Sequence, residues 1–200
     1  VLVSSKGRYF WSDKPFIGKV KEGTISLDLL DEGELGEGYE NLRGAYLAVM
    51  KKHFAFNGKM PDKLFFTAPQ YNTWIELMYN QNQKQILEYA RKIVELGFKP
   101  GILMIDEGWH GRYGNWTFDP LKFPDPKAMV NELHGMGFKV LLWVVPLVCP
   151  DGKFFIDHYN ESNSIHKEDE RLFIRTKKAP YVPALFHWWN GFSAMLNLDN

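Results

Sequence analysis

A near-repeat of four residues constrains the fold of this 200-residue chain more than any other feature. Leu96-Gly97-Phe98-Lys99 leads into one short apolar run, and Met136-Gly137-Phe138-Lys139 leads into another about one strand-helix unit later. Each copy follows a stretch with apolar residues at helical spacing, and its glycine ends that stretch. A repeat of this kind predicts parallel strands that are joined by helices.

Three strands are expected after Pro61, where the pattern of the chain changes. Their runs are continuously apolar, which is typical of strands buried on both faces of a parallel sheet. They span residues 64–67, 101–105 and 140–145.

Two helices are expected between these strands. The first begins at the cap Asn80 or Asn82 and ends at Gly97, and its predicted buried residues are Ile86, Leu87, Ala90, Ile93 and Val94. The second begins at Asp125-Pro126, a cap followed by proline at the first helical position. Its predicted buried residues are Met129, Val130, Leu133 and Met136.

The residues before Pro61 predict a different organisation. Residues 8–30 alternate weakly and contain the turn signals Asp13-Lys14-Pro15 and Glu22-Gly23, which favour short strands and hairpins. Residues 41–54 predict a helix with one apolar face. That face comprises Tyr46, Leu47, Val49, Met50, His53 and Phe54.

Two folds built from parallel strands compete, the closed (β/α)8 barrel and the open doubly wound sheet. A dinucleotide-binding sheet needs a glycine-rich turn after its first strand, and this chain has Ala68-Pro69-Gln70-Tyr71-Asn72 there. Barrel enzymes place their chemistry at the carboxyl ends of the strands. Polar and aromatic residues gather at the ends of these strands: Gln70, Asn72 and Trp74 follow the first, Asp106, Glu107 and Trp109 follow the second, and Trp143 and Pro146 lie at the third. The barrel is therefore favoured.

Composition excludes several classes of function. Lys plus Arg and Asp plus Glu are each 24, so the chain has no basic surface for nucleic acid. The single cysteine, Cys149, supports neither a disulfide framework nor a zinc site, and is expected to be a buried or half-buried thiol. No apolar run is long enough to span a bilayer. No metal or cofactor is expected, the missing initial Met indicates a trimmed N-terminus, and neither compartment nor oligomeric state is specified.

Aromatic residues make up 16% of the chain and include 7 Trp. Their flat faces suit stacking against the C–H faces of sugar rings, although core packing is an equally good explanation for any single Trp.

Asp106 is the strongest candidate for a ligand-binding residue, because a carboxylate directly after four apolar strand residues is costly to desolvate without a partner. Two sugar hydroxyls would be such a partner. The alternatives are that Asp106 caps a turn or pairs with a nearby Lys or Arg. Strand alternation leaves Glu107 either beside the ligand, behind Asp106 or toward solvent. Asp119 and Asp125 have proline neighbours, which favours turn and helix-cap roles.

The segment from Asp106-Glu107-Gly108-Trp109 through Trp116–Pro126, followed by Gly137–Trp143, resembles the family 31 glycoside hydrolases. Leu185–Gly191 and the final Asn197-Leu198-Asp199-Asn200 resemble the family's next rim segment. The resemblance covers residues 41–200. The chain departs from the commoner α-glucosidase pattern at 70–76 and 107–109, so a glucose specificity is not carried over.

This resemblance implies a retaining α-glycosidase that acts on terminal non-reducing α-linked sugars of an oligosaccharide or glycoside. Asp106 then matches the aspartate that binds hydroxyls of the −1 sugar, and Trp143 and Trp189 match residues lining the same pocket. Trp74, Trp109 and Glu107 complete the set of expected substrate-binding residues. The nucleophile and the general acid are expected after Asn200, on later strands.

The resemblance also implies a domain organisation. Residues 1–40 would end a β-sandwich, and residues 41–200 would form the first part of the barrel. The charged stretch 150–183, which includes Asp157–Asn160 and Lys167–Arg171, is too long for an ordinary connection and is expected to be an insertion after strand three. It would either wall the pocket or extend into solvent.

The sequence leaves two alternatives open. The first is a carbohydrate-binding or scaffold protein that uses a barrel rim without hydrolysis. The second is an unrelated barrel enzyme, such as a lyase or an aldolase.

Overall fold

The computed structural model describes residues 1–29, 31–163, 172–176, 178–189 and 191–198, with the backbone alone at 160–163. It contains two compact units, Val1–Pro61 and Asp62–Asn200. The division coincides with the change of pattern expected after Pro61. None of the helices in these ranges is both long enough and apolar enough to cross a bilayer.

The first unit contains two small antiparallel sheets and one helix. One sheet has the order β1-β2-β5, and the other is a hairpin of β3 and β4. The elements are β1 (Leu2–Ser4), β2 (Arg8–Trp11), β3 (Phe16–Lys21), β4 (Thr24–Leu29), β5 (Glu34–Gly36) and α1 (Leu42–His53). The predicted turn at Glu22-Gly23 is confirmed, with φ of 49° and 77°, as a two-residue turn between twisted strands requires.

Helix α1 is confirmed, but its predicted apolar face is partly wrong. Ala45 and Val49 are buried, whereas Tyr46, Leu47 and Phe54 are exposed. Ala45 and Val49 lie one turn apart, and their small side chains let the helix approach β1 and β2 closely. The small side chains therefore form the buried face of α1, and three of the large side chains that were predicted to be buried are exposed.

The second unit is built on a parallel sheet with strand order β6-β7-β8. The strands are β6 (Gln70–Asn72), β7 (Ile102–Ile105) and β8 (Lys139–Leu142). Leu103 of β7 lies opposite Tyr71 of β6 and Val140 of β8. The connecting helices are α4 (Gln83–Glu95) and α5 (Pro126–Gly135), and two short helices, α2 (Leu64–Thr67) and α3 (Trp74–Leu77), flank β6. The predicted parallel α/β architecture is confirmed.

The repeated tetrapeptide is the C-terminal cap of α4 and of α5. Gly97 and Gly137 have φ of 80° and 92°, which glycine adopts readily. The next amides, of Phe98 and Phe138, bond back to the carbonyls of Ile93 and Leu133 at 3.1 and 3.0 Å. The N-caps are also confirmed, because Asn82 accepts from the Gln85 amide and Asp125 from the Ala128 amide. The same cap therefore feeds both β7 and β8.

The expected strand at residues 64–67 is wrong, because these residues form the short helix α2. Asp62 accepts the Leu64 amide at 2.8 Å, and the Ala68 amide bonds to the Leu64 carbonyl at 3.1 Å. This local capping outweighs the apolar composition, and Phe66 is exposed rather than buried. The first parallel strand starts after Pro69, at Gln70.

The remaining elements follow β8. An antiparallel sheet has the order β12-β13-β9, and β10 pairs with β11. The bounds are β9 (Leu147–Val148), α6 (Lys153–Asn163), β10 (Arg175–Thr176), β11 (Ala179–Pro183), β12 (Leu185–Trp188) and β13 (Gly191–Met195). The charged run Lys167–Arg171, Asn190, Asp199 and Asn200 lie outside the described residues.

One apolar cluster holds the parallel sheet and its helices together. Both helices and β7 contribute to this cluster, whose members include Ile86, Ala90, Leu103, Ile105, Met129, Leu133 and Phe138. Of the predicted helix residues, Val94 is exposed, and Val130 and Met136 are only partly buried. Burial of this face fixes the carboxyl ends of β6, β7 and β8 at one rim.

Candidate functional site

A cleft of about 350 Å³ lies at the carboxyl ends of the parallel strands. Its lining combines two carboxylates, an amide, an aliphatic side chain and four tryptophans, namely Asp106, Glu107, Asn72, Ile75, Trp74, Trp143, Trp188 and Trp189. This volume lies within the range of small-molecule sites, which are mostly apolar with a few polar groups that orient the ligand.

Asp106 is buried at the end of β7, and both of its carboxylate oxygens accept hydrogen bonds. One oxygen accepts from the Asn72 amide at 2.6 Å, and the other accepts from the backbone N–H of Glu107 at 2.7 Å. Among the described residues, no Lys or Arg forms an ion pair with Asp106. An ionised carboxylate has about four acceptor positions, so Asp106 retains capacity for ligand donors.

Asn72 orients Asp106 from the neighbouring strand. Its Oδ1 accepts from the Trp74 amide at 2.6 Å, which leaves Nδ2 to donate to Asp106. The polar strand-end position indicated that Asn72 lies on the rim, but its contact with Asp106 depends on the pairing of β6 with β7.

Glu107 also lies in the cleft and is buried. Its Oε1 accepts a hydrogen bond from the Tyr113 hydroxyl. Tyr113 is buried too, and its ring centroid lies 6.2 Å from that of Trp143 and 5.6 Å from that of Trp188. Tyr113 and Trp188 were not predicted as site residues, because Tyr113 lies on a loop and Trp188 on β12, and the two meet only in the folded chain.

The four tryptophans form the walls of the cleft. Trp143 and Trp188 are nearly parallel, with an interplanar angle of 14° and centroids 6.4 Å apart. The ring centroid of Trp189 lies 6.4 Å from the ring centroids of both Trp188 and Trp74. Aromatic faces around a pair of carboxylates suit a ligand that is apolar on its faces and rich in hydroxyls at its edge.

Trp189 sits at the turn of the hairpin between β12 and β13, where Trp188 pairs with Gly191. Its φ of 45° is uncommon for a bulky residue, and its side chain is exposed. A positive φ at this position is what a two-residue turn between twisted strands requires, as at Glu22, so the hairpin geometry explains the conformation of Trp189.

Trp109 lies beneath the cleft rather than in its lining. Only 2% of it is exposed, and it packs in the apolar cluster. Its indole N–H donates to the Trp143 carbonyl at 2.8 Å. Trp109 therefore contacts the backbone of a cleft residue, and its own ring faces the core.

The described residues offer little for metal or thiol chemistry. No group of three or more His, Cys, Asp or Glu is arranged to hold a metal within the ranges that the structure covers. Cys149 is half-buried, and burial raises the pKa of its thiol, which opposes formation of the nucleophilic thiolate. Asp119 accepts the Leu121 amide at 3.0 Å, and this confirms its predicted turn role.

His110, next to Trp109, should make the stability depend on pH. Burial lowers the pKa of its imidazole below the ordinary 6.5, and the Lys122 charge acts in the same direction against a backbone hydrogen bond. The unfolded chain then takes up a proton before the folded chain does, so stability falls as pH drops below about 6.5. We expect a smaller drop in Tm from pH 7.5 to 5.5 for His110→Gln than for the native chain. Equal drops would contradict this assignment.

Parallel strands joined by helices, with carboxylates and aromatics at their carboxyl ends, define a domain of the barrel-enzyme class. The family described as "Glycosyl hydrolases family 31 TIM-barrel domain" matches residues 59–200. The chain belongs to glycosyl hydrolase family 31, and the resemblance stated from its motifs is confirmed.

Individual proteins agree with this placement. The chain is 31% identical over 152 residues to the myogenesis-regulating glycosidase of Mus musculus. The aligned residues make up 76% of this chain and 20% of that protein. It is 29% identical over 160 residues to the alpha-xylosidase of Saccharolobus solfataricus, covering 78% and 21%. The chain thus spans about a fifth of the length of these curated relatives.

A solved structure confirms the fold. A family 31 dextranase of Flavobacterium johnsoniae, complexed with glucose, superposes with a TM-score of 0.66 at 17% identity. The superposition covers 95% of this chain and 22% of that one. The mixed α/β, TIM-barrel type of fold is therefore shared.

Proposed function

We propose that this chain supplies the sugar-binding rim of a retaining α-glycosidase that hydrolyses terminal non-reducing α-linked sugars from an oligosaccharide or glycoside. The observation that carries the proposal is Asp106, a buried strand-end carboxylate that faces a tryptophan-walled cleft. Relatives named as an α-xylosidase, α-galactosidases and a 1,3-α-isomaltosidase support the class of reaction.

Asp106 would accept hydrogen bonds from hydroxyls of the sugar in the −1 subsite. Charge-assisted bonds of this kind are about twice as strong as neutral ones, so they orient the ring as well as bind it. Glu107, whose Oε1 is held by Tyr113, would accept a further hydroxyl. Trp74, Trp143 and Trp189 would stack on the apolar faces of the sugar or line its edge.

Trp109 has a different role in this proposal. Because its N–H holds the Trp143 carbonyl from the core side, it would set the position of Trp143 and make no contact with the sugar itself. The sequence-based expectation of a direct contact is thus replaced by a supporting one.

The three parallel strands would be the first three of a (β/α)8 barrel. The resemblance implies that residues 1–40 would end a β-sandwich, that 41–200 would form the first part of the barrel, and that 150–183 would be an insertion after strand three. In the described part of that segment, Phe154 of α6 packs edge-on against Trp116, with ring centroids 5.1 Å apart. This contact supports a position of the insertion beside the rim loops. Helix α1 lies in the first compact unit, so a boundary near Pro61 is the simpler division.

Retaining hydrolysis needs two carboxyl groups about 5–5.5 Å apart across the scissile bond. One carboxylate attacks the anomeric carbon, while the other group protonates the departing oxygen and later takes a proton from the attacking water. We assign neither role to Asp106 or Glu107. Both groups would come from residues after Asn200, on later strands.

The test is the release of sugar by the intact protein from aryl α-galactoside, α-glucoside and α-xyloside. We expect one of these to be hydrolysed, with the α-anomer appearing first by proton NMR, because two displacements restore the configuration. Initial release of the β-anomer would contradict a retaining mechanism. Sugar binding without any release would favour the carbohydrate-binding alternative.

A further inference from the structure

A chain of buried hydrogen bonds runs beneath Asp106. The backbone N–H of Asp106 donates to Thr73 Oγ1 at 3.1 Å, Thr73 Oγ1 donates to Gln81 Oε1 at 2.7 Å, and Gln81 Nε2 donates to the Met78 carbonyl at 3.0 Å. Thr73 and Gln81 are both 0% exposed. No pattern in the sequence singled out either residue.

Donor and acceptor roles in this hydrogen-bond network can be assigned in only one way. The backbone N–H of Asp106 can only donate, so the Thr73 hydroxyl must accept there and has its one proton left for Gln81. That proton needs an acceptor, which fixes the Gln81 amide with its oxygen toward Thr73 and its nitrogen toward Met78. A buried network that is satisfied in this way has a single arrangement, and its members are held rigidly.

Thr73 takes this role because its own carbonyl is already used. In the parallel ladder the Thr73 amide bonds to the Met104 carbonyl at 3.1 Å, so the Thr73 carbonyl would be the next acceptor along the strand for Asp106. The chain turns into α3 at this point, and the carbonyl accepts from Leu77 at 2.9 Å instead. The hydroxyl replaces it and extends the pairing by one residue, to Asp106.

The loop that carries Gln81 is shaped around this contact. Met78 has φ of 45°, a left-handed conformation that is uncommon for a residue with a side chain. Its carbonyl is the acceptor for Gln81 Nε2. Residues 73–81 therefore bend back so that a buried amide can hold the Thr73 hydroxyl.

We propose that Thr73 and Gln81 are positioning residues that hold the Asp106 backbone, and so its carboxylate, at the place where sugar hydroxyls are bound. The inference rests on the proposed function and adds two residues to it that do not touch the sugar. Loss of the Thr73 hydroxyl would leave the Asp106 N–H and Gln81 Oε1 without partners, and the carboxylate would shift relative to Asn72.

The test compares Thr73→Val with Thr73→Ser in the intact protein. Valine keeps the shape without the hydroxyl, and serine keeps the hydroxyl. We expect Thr73→Val to raise KM for the accepted aryl α-glycoside about tenfold, with a smaller fall in kcat, and Thr73→Ser to stay within about twofold of the native protein. Thr67→Val is the control, because among the described residues the Thr67 hydroxyl bonds only the Lys63 carbonyl, at the start of its own short helix, and Thr67 does not line the cleft.

A second readout separates positioning from mere folding. Monodeoxy analogues of the accepted glycoside identify the hydroxyl that Asp106 binds. Removal of that hydroxyl should weaken binding to the native protein but not to the Asp106→Ala variant, and this loss of binding is the deoxy penalty. Thr73→Val should reduce this deoxy penalty several-fold. A lowered Tm with an unchanged KM and an unchanged deoxy penalty would overturn the inference. Gln81→Met provides the same test should Thr73→Val not fold.

The outcome for the native protein separates this inference from the proposed function. A native protein that hydrolyses no glycoside and binds no monosaccharide in calorimetry contradicts both. An active native protein whose Thr73→Val and Gln81→Met variants keep KM and the deoxy penalty contradicts only the positioning role.

Discussion

Asp106→Ala is expected to lower kcat/KM of the intact protein for its α-glycoside by about 100- to 1,000-fold. Hydrogen bonds to a charged group contribute about 1.5–3 kcal/mol each, and two sugar hydroxyls would lose them together. A loss of roughly 3–4 kcal/mol corresponds to that range of rates. Steady-state kinetics on the aryl glycoside that the native protein accepts provides the measurement.

Asp119→Ala is the matched control for this substitution. Asp119 lies between β7 and α5, as Asp106 does, but it accepts a turn amide and does not line the cleft. Its kcat/KM should stay within about threefold of the native value, since a lost turn bond affects stability rather than substrate. Similar losses for the two variants would show that Asp106 acts through folding, and would remove it from the binding site.

Phe138→Ala is expected to destabilise the protein by about 3–5 kcal/mol. Phe138 is 1% exposed, belongs to the apolar cluster and contacts Tyr71 edge-on, with ring centroids 5.8 Å apart. Truncation would leave a cavity between β6 and the entry to β8, which the packed surroundings cannot fill. Urea unfolding followed by tryptophan fluorescence would measure the change.

Phe98→Ala is the matched control, because Phe98 occupies the same place in the other copy of the repeated tetrapeptide. Phe98 is 59% exposed, although its backbone cap is the same. Its truncation should cost less than about 1 kcal/mol. Equal destabilisation by the two substitutions would contradict the burial on which the first prediction depends.

The helices and their ends could be predicted from sequence because capping is local. Asn82, Asp125, Gly97 and Gly137 act on amides and carbonyls within one turn of themselves. The same locality explains the error at 64–67. An apolar run of four residues fits a buried strand or a capped helical turn equally well, and Asp62 decides for the turn.

The site could be predicted only in part. Asp106, Glu107 and Trp143 follow strands directly, so a parallel sheet must bring them to one rim. Trp188 lines the cleft and Tyr113 bonds Glu107 beside it, and their positions depend on a hairpin and a loop that are set by long-range pairing, such as that of β13 with β9. The burial of Trp109 could not be predicted either, because its indole N–H donates to the carbonyl of Trp143, which follows β8 and is distant in sequence.

The most direct test of the proposed site is a crystal structure of the intact protein with the accepted monosaccharide bound. We predict that the Asp106 carboxylate accepts bonds of about 2.5–2.9 Å from hydroxyls of the sugar, with the ring lying between Trp143 and Trp189. A sugar bound elsewhere, with Asp106 in contact only with Asn72 and the Glu107 amide, would contradict the assignment of this rim as the −1 subsite.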